Sequence, residues 1–349
     1  MQLDDIHEKN AHFLQAFDTS YFRYQLETHI RQLNTPRGLE AAIALRVLYH
    51  HALETFLLLL FGNLQALDCI VGYVHRCRPE DLRNIVRKVN RGGDGLYTRM
   101  KLPSANWENI ANFTVPEYEG PAPSRPDVIA RYARLWKAFG RAYISDAAAD
   151  EYNSLKHGFR AGLGGFVLDL TINLHEKAGT SQLPAIRFGH GDCGTSFFTA
   201  EPVPDAPRMH FGLRFNAHNW DPHKLVPTVR LLLDSIDMTL ISLKLRNGIG
   251  ANDLSLPVSD ELFTFDDSFN AGAPSSSFFI DHEFSADHIV MATREELLDW
   301  IAKSEPKFEA LGVVEGRLCD SATCRPATQE PPRASGVRTA PESEPPPDK

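Results

Sequence analysis

The sequence predicts a mainly α-helical protein: a helical bundle with a small antiparallel β-hairpin element and a disordered C-terminal tail. Three observations carry this. Long stretches of the first half space their apolar residues by three and four, the period of one helix face. A short central block alternates, or is β-branched and aromatic, between turn-forming segments. From Asp320 the chain runs into PATQEPPRASGVRTAPESEPPPDK, too poor in apolar residues to fold alone.

Taken in order, residues 5–32 read as a first helix, with Phe13, Phe17, Tyr21 and Tyr24 on one face. Thr35-Pro36 breaks it. A long helix follows over Gly38–Gly62, carrying Ile43, Val47, Leu57, Leu60 and Phe61. A third covers Leu64–Cys77, and Pro79 opens a fourth, Glu80–Asn90, where proline is tolerated. Arg91–Pro126 contains a Gly-Gly pair and EYEGPAPSRP, and reads as a long connection. The next long helix spans Pro126–Phe159 and is followed by helical Gly162–Lys177, whose glycines allow close approach of a neighbour.

The pattern changes at Leu183. AIRFG, TSFFTAEPV and HFGLRFN, separated by GHGDCG and PVPDAP, predict a hairpin or three-stranded sheet over residues 185–216. Asp221-Pro222 introduces a helix over Lys224–Leu245, with Val229, Leu232, Leu233, Ile236 and Leu240 on one face. A mixed segment then runs to about Glu309. It includes a short helix, Arg294–Ser304, capped by Thr293 with Glu296 three residues on. The organisation expected is a bundle over residues 1–177, a hairpin plus completing helix over 178–249, a mixed extension over 250–318 and a tail over 319–349. No internal repeat is present.

With 349 residues and 43% hydrophobic content, the chain can bury a large core. Its formal charge of −9 argues against a broadly basic nucleic-acid binder while leaving room for a local basic cleft. The five cysteines are irregularly spaced and give no disulfide framework. No apolar run approaches the ~18 residues needed to span a bilayer, the longest being Phe56–Phe61. The start, MQLDDIHEKN, lacks the basic and apolar parts of a signal peptide. A cytoplasmic, reduced protein without membrane association is expected.

The most informative segment is SDAAADEYNSLKHG, beginning at Ser145. If the Pro126–Phe159 helix is unbroken, its stripe of Val128, Tyr132, Leu135, Phe139 and Tyr143 continues through Asp146, Asp150, Asn153 and His157, at about 100° per residue. An apolar face thus turns ionisable. Burying such groups unpaired costs roughly 2–7 kcal/mol for neutral ones and more for charges. They must pair, bind something or line a wet cleft. On the Gly38–Gly62 helix, His50 and Glu54 interrupt the stripe in the same way, so the two helices can share one polar cluster. Two readings follow from the residues themselves. The cluster is a satisfied structural network, or His50, Glu54, Asp150 and His157 hold iron, manganese or zinc. Against the metal, no Glu-x-x-His pair of the di-metal bundles lies on these helices. His190, Asp192, Cys193, His210, His218 and His223 lack ligand spacing and read as scattered surface groups. The four tryptophans read as core or interface anchors. Neither a Walker loop, a Rossmann fingerprint nor a Gly-x-Ser-x-Gly elbow is present.

YNSLKH, Tyr152 to His157, resembles the signature of HEPN domains, helical nucleotide- and RNA-handling proteins. In that signature an arginine, often followed by Asn, Asp or His, precedes a histidine by a few residues. Asn153 and His157 match its second and last positions, while Tyr152 stands where the arginine belongs. The resemblance implies metal-independent RNA cleavage without a cofactor. His157 would be the general acid or base and Asn153 would orient substrate or solvent beside Asp150. The departure at Tyr152 removes the fixed cation that steadies a scissile phosphate. Lys156 or Arg160 would replace it, past the helix end or across a homodimer. The competing expectation is a non-catalytic helical module for interaction or dimerisation, whose polar stripe specifies folding or pairing.

Overall fold

The computed structural model of the chain describes residues 3–96, 102, 104–117, 123–157, 160–163, 168–170, 186–188, 193–202, 210–250, 256–265, 275–285 and 295. The N-terminal stretch forms two helices rather than one, α1 (Leu3–Ala16) and α2 (Ser20–Gln32). Between them the Asp18 carboxylate takes the Ser20 N–H at 2.9 Å, and the Thr19 hydroxyl reaches Asp237 at 2.9 Å. These local bonds end the first helical run.

Helix α3 (Gly38–Gln65) is the central element, and its buried side chains run from Ala41 to Leu64. Leu45, Phe56, Leu57, Leu60 and Phe61 are completely enclosed. Each such side chain contributes roughly 1.5–3 kcal/mol of transfer free energy. By length and composition α3 is apolar enough to cross a membrane, contrary to the reading of its sequence, but 56% of that window is buried inside the protein. The segment expected as a third helix splits into a 3-10 turn, Leu67–Cys69, and α4 (Ile70–Arg76). Proline opens α5 (Pro79–Asn90) as expected. The long connection carries a helix of its own, α6 (Trp107–Thr114), capped by the Asn106 side chain on the Asn109 N–H.

Helix α7 (Arg125–Ile144) buries Val128, Tyr132, Leu135, Trp136 and Phe139. It stops where the sequence predicts continuation. Ser145 is extended (ψ 125°), and its hydroxyl caps α8 (Asp146–Lys156) by accepting from Ala148 N at 3.4 Å. The predicted helix over Gly162–Lys177 is replaced in its described parts by strands β1 (Ala161–Leu163) and β2 (Leu168–Leu170). The latter pairs with β3 (Ile186–Phe188) in a separate ribbon.

The expected hairpin is formed by β4 (Gly194–Pro202) and β5 (His210–Asn219), antiparallel, with Phe198 opposite Phe215. It is wider than predicted. Helices α9 (Pro222–Arg246) and α10 (Asp260–Thr264) precede β6 (Ser275–Ser285), which returns to give a sheet ordered β1-β4-β5-β6. Pairing of β6 slips between Gly212 and Leu213, an irregularity of the bulge kind.

Helix α9 lies along α3 and is its principal partner. Asn63 donates to the Ser242 hydroxyl at 3.2 Å, and the Trp136 indole to Ser235 at 3.0 Å, so α3, α7 and α9 enclose one core. The protein is thus a mainly helical bundle with a small antiparallel sheet. Residues 1–288 form one compact unit and residues 289–349 a second, in which only Glu295 is described. The expected helix over 294–304, apart from that residue, and the expected tail lie outside the described residues.

Candidate functional site

The break at Ser145 changes which residues of α8 face inward. A straight continuation of α7 would bury the Asp146, Asp150, Asn153 and His157 direction. Instead Glu151 and Ser154 are enclosed, while Asn153, Lys156, His157 and Arg160 are exposed and Asp150 is half-buried. Glu151, the group with most need of partners, was not singled out by the sequence pattern.

Its partners come from three other elements. Arg46 of α3 donates from Nε at 3.2 Å and from an Nη at 2.7 Å, a two-point guanidinium–carboxylate pair. The Thr195 hydroxyl of β4 donates to Oε1 at 2.6 Å. His50 Nε2 and His218 Nδ1 lie 3.6 and 3.5 Å from Oε2, electrostatic contacts longer than good hydrogen bonds. Trp220 and Tyr49 place their rings 5.8 and 5.3 Å from the Arg46 guanidinium. Burial opposes ionisation of Glu151, yet the Arg46 charge and the neighbouring imidazoles outweigh it and hold the carboxyl well below its usual range. Burial also pushes His50 down, against the pull of Glu151, so it favours the neutral imidazole. Tyr49 is pushed up to about 12 by burial. His218, read from sequence as a surface group, is only 12% exposed and packs edge-on against Phe197.

The sequence-nominated residues separate into two sets. His50 and Glu54 do meet α8, through Tyr152. Its ring stacks on His50 at 5.1 Å, and its hydroxyl donates to Glu54 at 3.0 Å. The Lys156 ammonium lies 5.7 Å from the centre of the Tyr152 ring. The position that carries arginine in the HEPN signature is therefore packed against α3. His157 is the C-cap of α8, its backbone N–H bonded to the Asn153 carbonyl at 3.2 Å. Among the described residues, no group of three or more His, Cys, Asp or Glu is arranged to hold a metal ion. His50, Glu54, Asp150 and His157 thus do not form the metal set that the sequence allows. His50 faces a carboxylate already held by a guanidinium, and a second cation there would meet like charge.

Beside this network a cleft of about 410 Å³ opens between α3, α5, α7 and α8. Tyr143, Tyr152, Arg83, Arg87, Asn153 and Lys156 line it, together with Glu54 and Glu80. Arg83 bonds Asp146 at 2.6 Å and the Ile144 carbonyl at 3.1 Å, tying α5 to the end of α7.

Comparison with known proteins finds no matching family model, no similar curated protein and no similar solved structure.

Proposed function

We propose that this is a HEPN-like RNA- or nucleotide-interacting protein whose working surface is the last turn of α8 and the residues just beyond it. One observation supports the reading most: the polar groups of the YNSLKH segment are not consumed by the fold. Asn153, Lys156, His157 and Arg160 are exposed, and no side chain of the four makes a hydrogen bond or ion pair with another described residue. An exposed histidine with two cations and an amide within four residues of it in sequence has what phosphodiester cleavage asks of a protein: a proton-transfer group and positive charge. Tyr152 does not supply that charge, so Lys156 or Arg160 takes the role.

The test is cleavage and binding of a labelled single-stranded RNA by the intact protein. His157→Ala should slow cleavage by ~10²–10⁴-fold, while Lys156→Ala and Arg160→Ala weaken binding and lower its salt dependence. A chelator should leave the rate unchanged. Wild-type protein that neither binds nor cuts RNA would sink the proposal.

The competing reading, a non-catalytic helical interaction protein, draws on the Glu151 network. There a buried charge is answered by partners from three elements, with no ligand needed. His157→Ala separates the two, because an exposed cap residue should leave the thermal midpoint nearly unchanged.

A further inference from the structure

Four donor groups lining the cleft have no carboxylate partner among the described residues. Lys156 contacts only the Tyr152 ring. Arg87 meets the neutral Asn84 side chain at 3.0 Å and no carboxylate among the described residues. The Asn153 amide and the Tyr143 hydroxyl bond to no other described side chain. Burial pushes Tyr143 far above the ordinary phenol range, so its hydroxyl stays protonated and donates. The acceptors are differently placed. Asp146 is paired with Arg83, and Glu54 receives the Tyr152 hydroxyl. Glu80 is exposed on the first turn of α5. Between these groups the lining is apolar or aromatic, from Leu53, Ala142, Ala149 and the two tyrosines.

We infer that this cleft is a binding site for a small organic oxyanion, a phosphate or carboxylate on a flat apolar body, held by Arg87, Lys156, Asn153 and Tyr143. The volume of about 410 Å³ suits a ligand of one or two rings and falls within the ~300–1,000 Å³ of ordinary small-molecule sites. Free donors select the charged end, and the aromatic walls remove the ring from water. Inorganic phosphate would satisfy the donors and leave the walls wet; an uncharged ring would do the reverse. Both should bind more weakly than a molecule with both parts. The site shares Asn153 and Lys156 with the proposed RNA-handling surface and adds Arg87 and Tyr143, which lie on α5 and α7 outside the YNSLKH segment, so variants of these two test it apart from RNA cleavage.

Isothermal titration of the full chain with 1-naphthyl phosphate, 1-naphthoate, 1-naphthol and inorganic phosphate tests this. Both naphthyl anions should bind at least ~10-fold tighter than naphthol, matching one charge-assisted hydrogen bond. Comparison of the two anions tells which oxyanion is preferred. Arg87→Ala should weaken the anions ~10-fold or more and leave naphthol unaffected, and Tyr143→Phe should weaken them by a smaller factor. Arg31→Ala, on α2, serves as the control. Naphthol binding as tightly as the anions, anion binding indifferent to Arg87, or no anion binding below ~5 mM would each overturn the inference. RNA titrated into the wild-type protein reports separately: no RNA binding together with naphthyl phosphate binding counts against the RNA reading alone.

Discussion

Removing the Glu151 carboxylate would leave the Arg46 guanidinium, only 17% exposed, beside two imidazoles with no counter-charge. Breaking a buried pair from one side costs about 3–5 kcal/mol, so Glu151→Ala should lower the urea midpoint by a corresponding amount. Replacing both partners, Arg46→Met with Glu151→Leu, should recover much of the loss, because the desolvation penalty leaves with the charges. If the double variant is as unstable as the single one, the network does more than neutralise itself. Glu151 was hidden in the sequence by one assumption, that α7 and α8 are a single helix. The clue was present: Ser145 followed by Asp146 has the composition of a helix start, a capping hydroxyl with an acid in the first turn. Reading it that way rotates the register and brings Glu151 and Ser154 inward. His50 was legible because α3 is unbroken around it. His218 and Thr195 were not, since strand residues meet α8 only through non-local packing.

The helices of the core follow from local pattern; the sheet does not. Apolar spacing located α3, α5, α7 and α9 because each must bury a stripe against its neighbours. β1 falls where the sequence predicts a helix because its few residues are decided by pairing with β4, and β6 lies in a segment that reads only as mixed because it returns to β5 from beyond α9 and α10. Close packing of elements also yields a test. A Cβ added to Gly140 of α7 would come within 2.4 Å of the Trp107 ring, and that ring is fixed by an indole bond to Asn90 at 2.7 Å. Gly140→Ala gains up to about 1 kcal/mol of helix propensity. Displacing a pinned indole in a filled core costs about 1–3 kcal/mol. The variant should therefore be less stable than wild type, by thermal or urea denaturation. A more stable variant would show that α6 can slide away from α7.

Acid should loosen the whole molecule, and the direction can be worked out group by group. Burial lowers the affinity of His29, His50 and His51 for a proton in the fold, so each binds it more readily when the chain is unfolded. Their contribution is intact above ~pH 6.5 and is lost as pH falls toward the depressed folded values. Glu151, also depressed, adds a further loss below the ordinary carboxylate range of ~4.3. Asp234 runs the other way, because burial raises it despite Arg23. The thermal midpoint should drop between pH 7 and 5, and His50→Gln should make that drop shallower. A midpoint flat over this range would contradict the burial of these imidazoles.

The separation of α3 from α9 has a consequence for how the protein is made. Asn63 and its partner Ser242 are 179 residues apart. At ~5–20 residues per second, a ribosome leaves α3, the one helix among the described residues long and apolar enough to cross a membrane, waiting roughly 10–35 s for the surface that covers it. During that interval α3 offers nascent-chain machinery a segment with the length and hydropathy of a membrane anchor. Ribosome-bound chains stopped before Pro222 should hold chaperone or targeting factor on α3, and chains extended past Arg246 should release it.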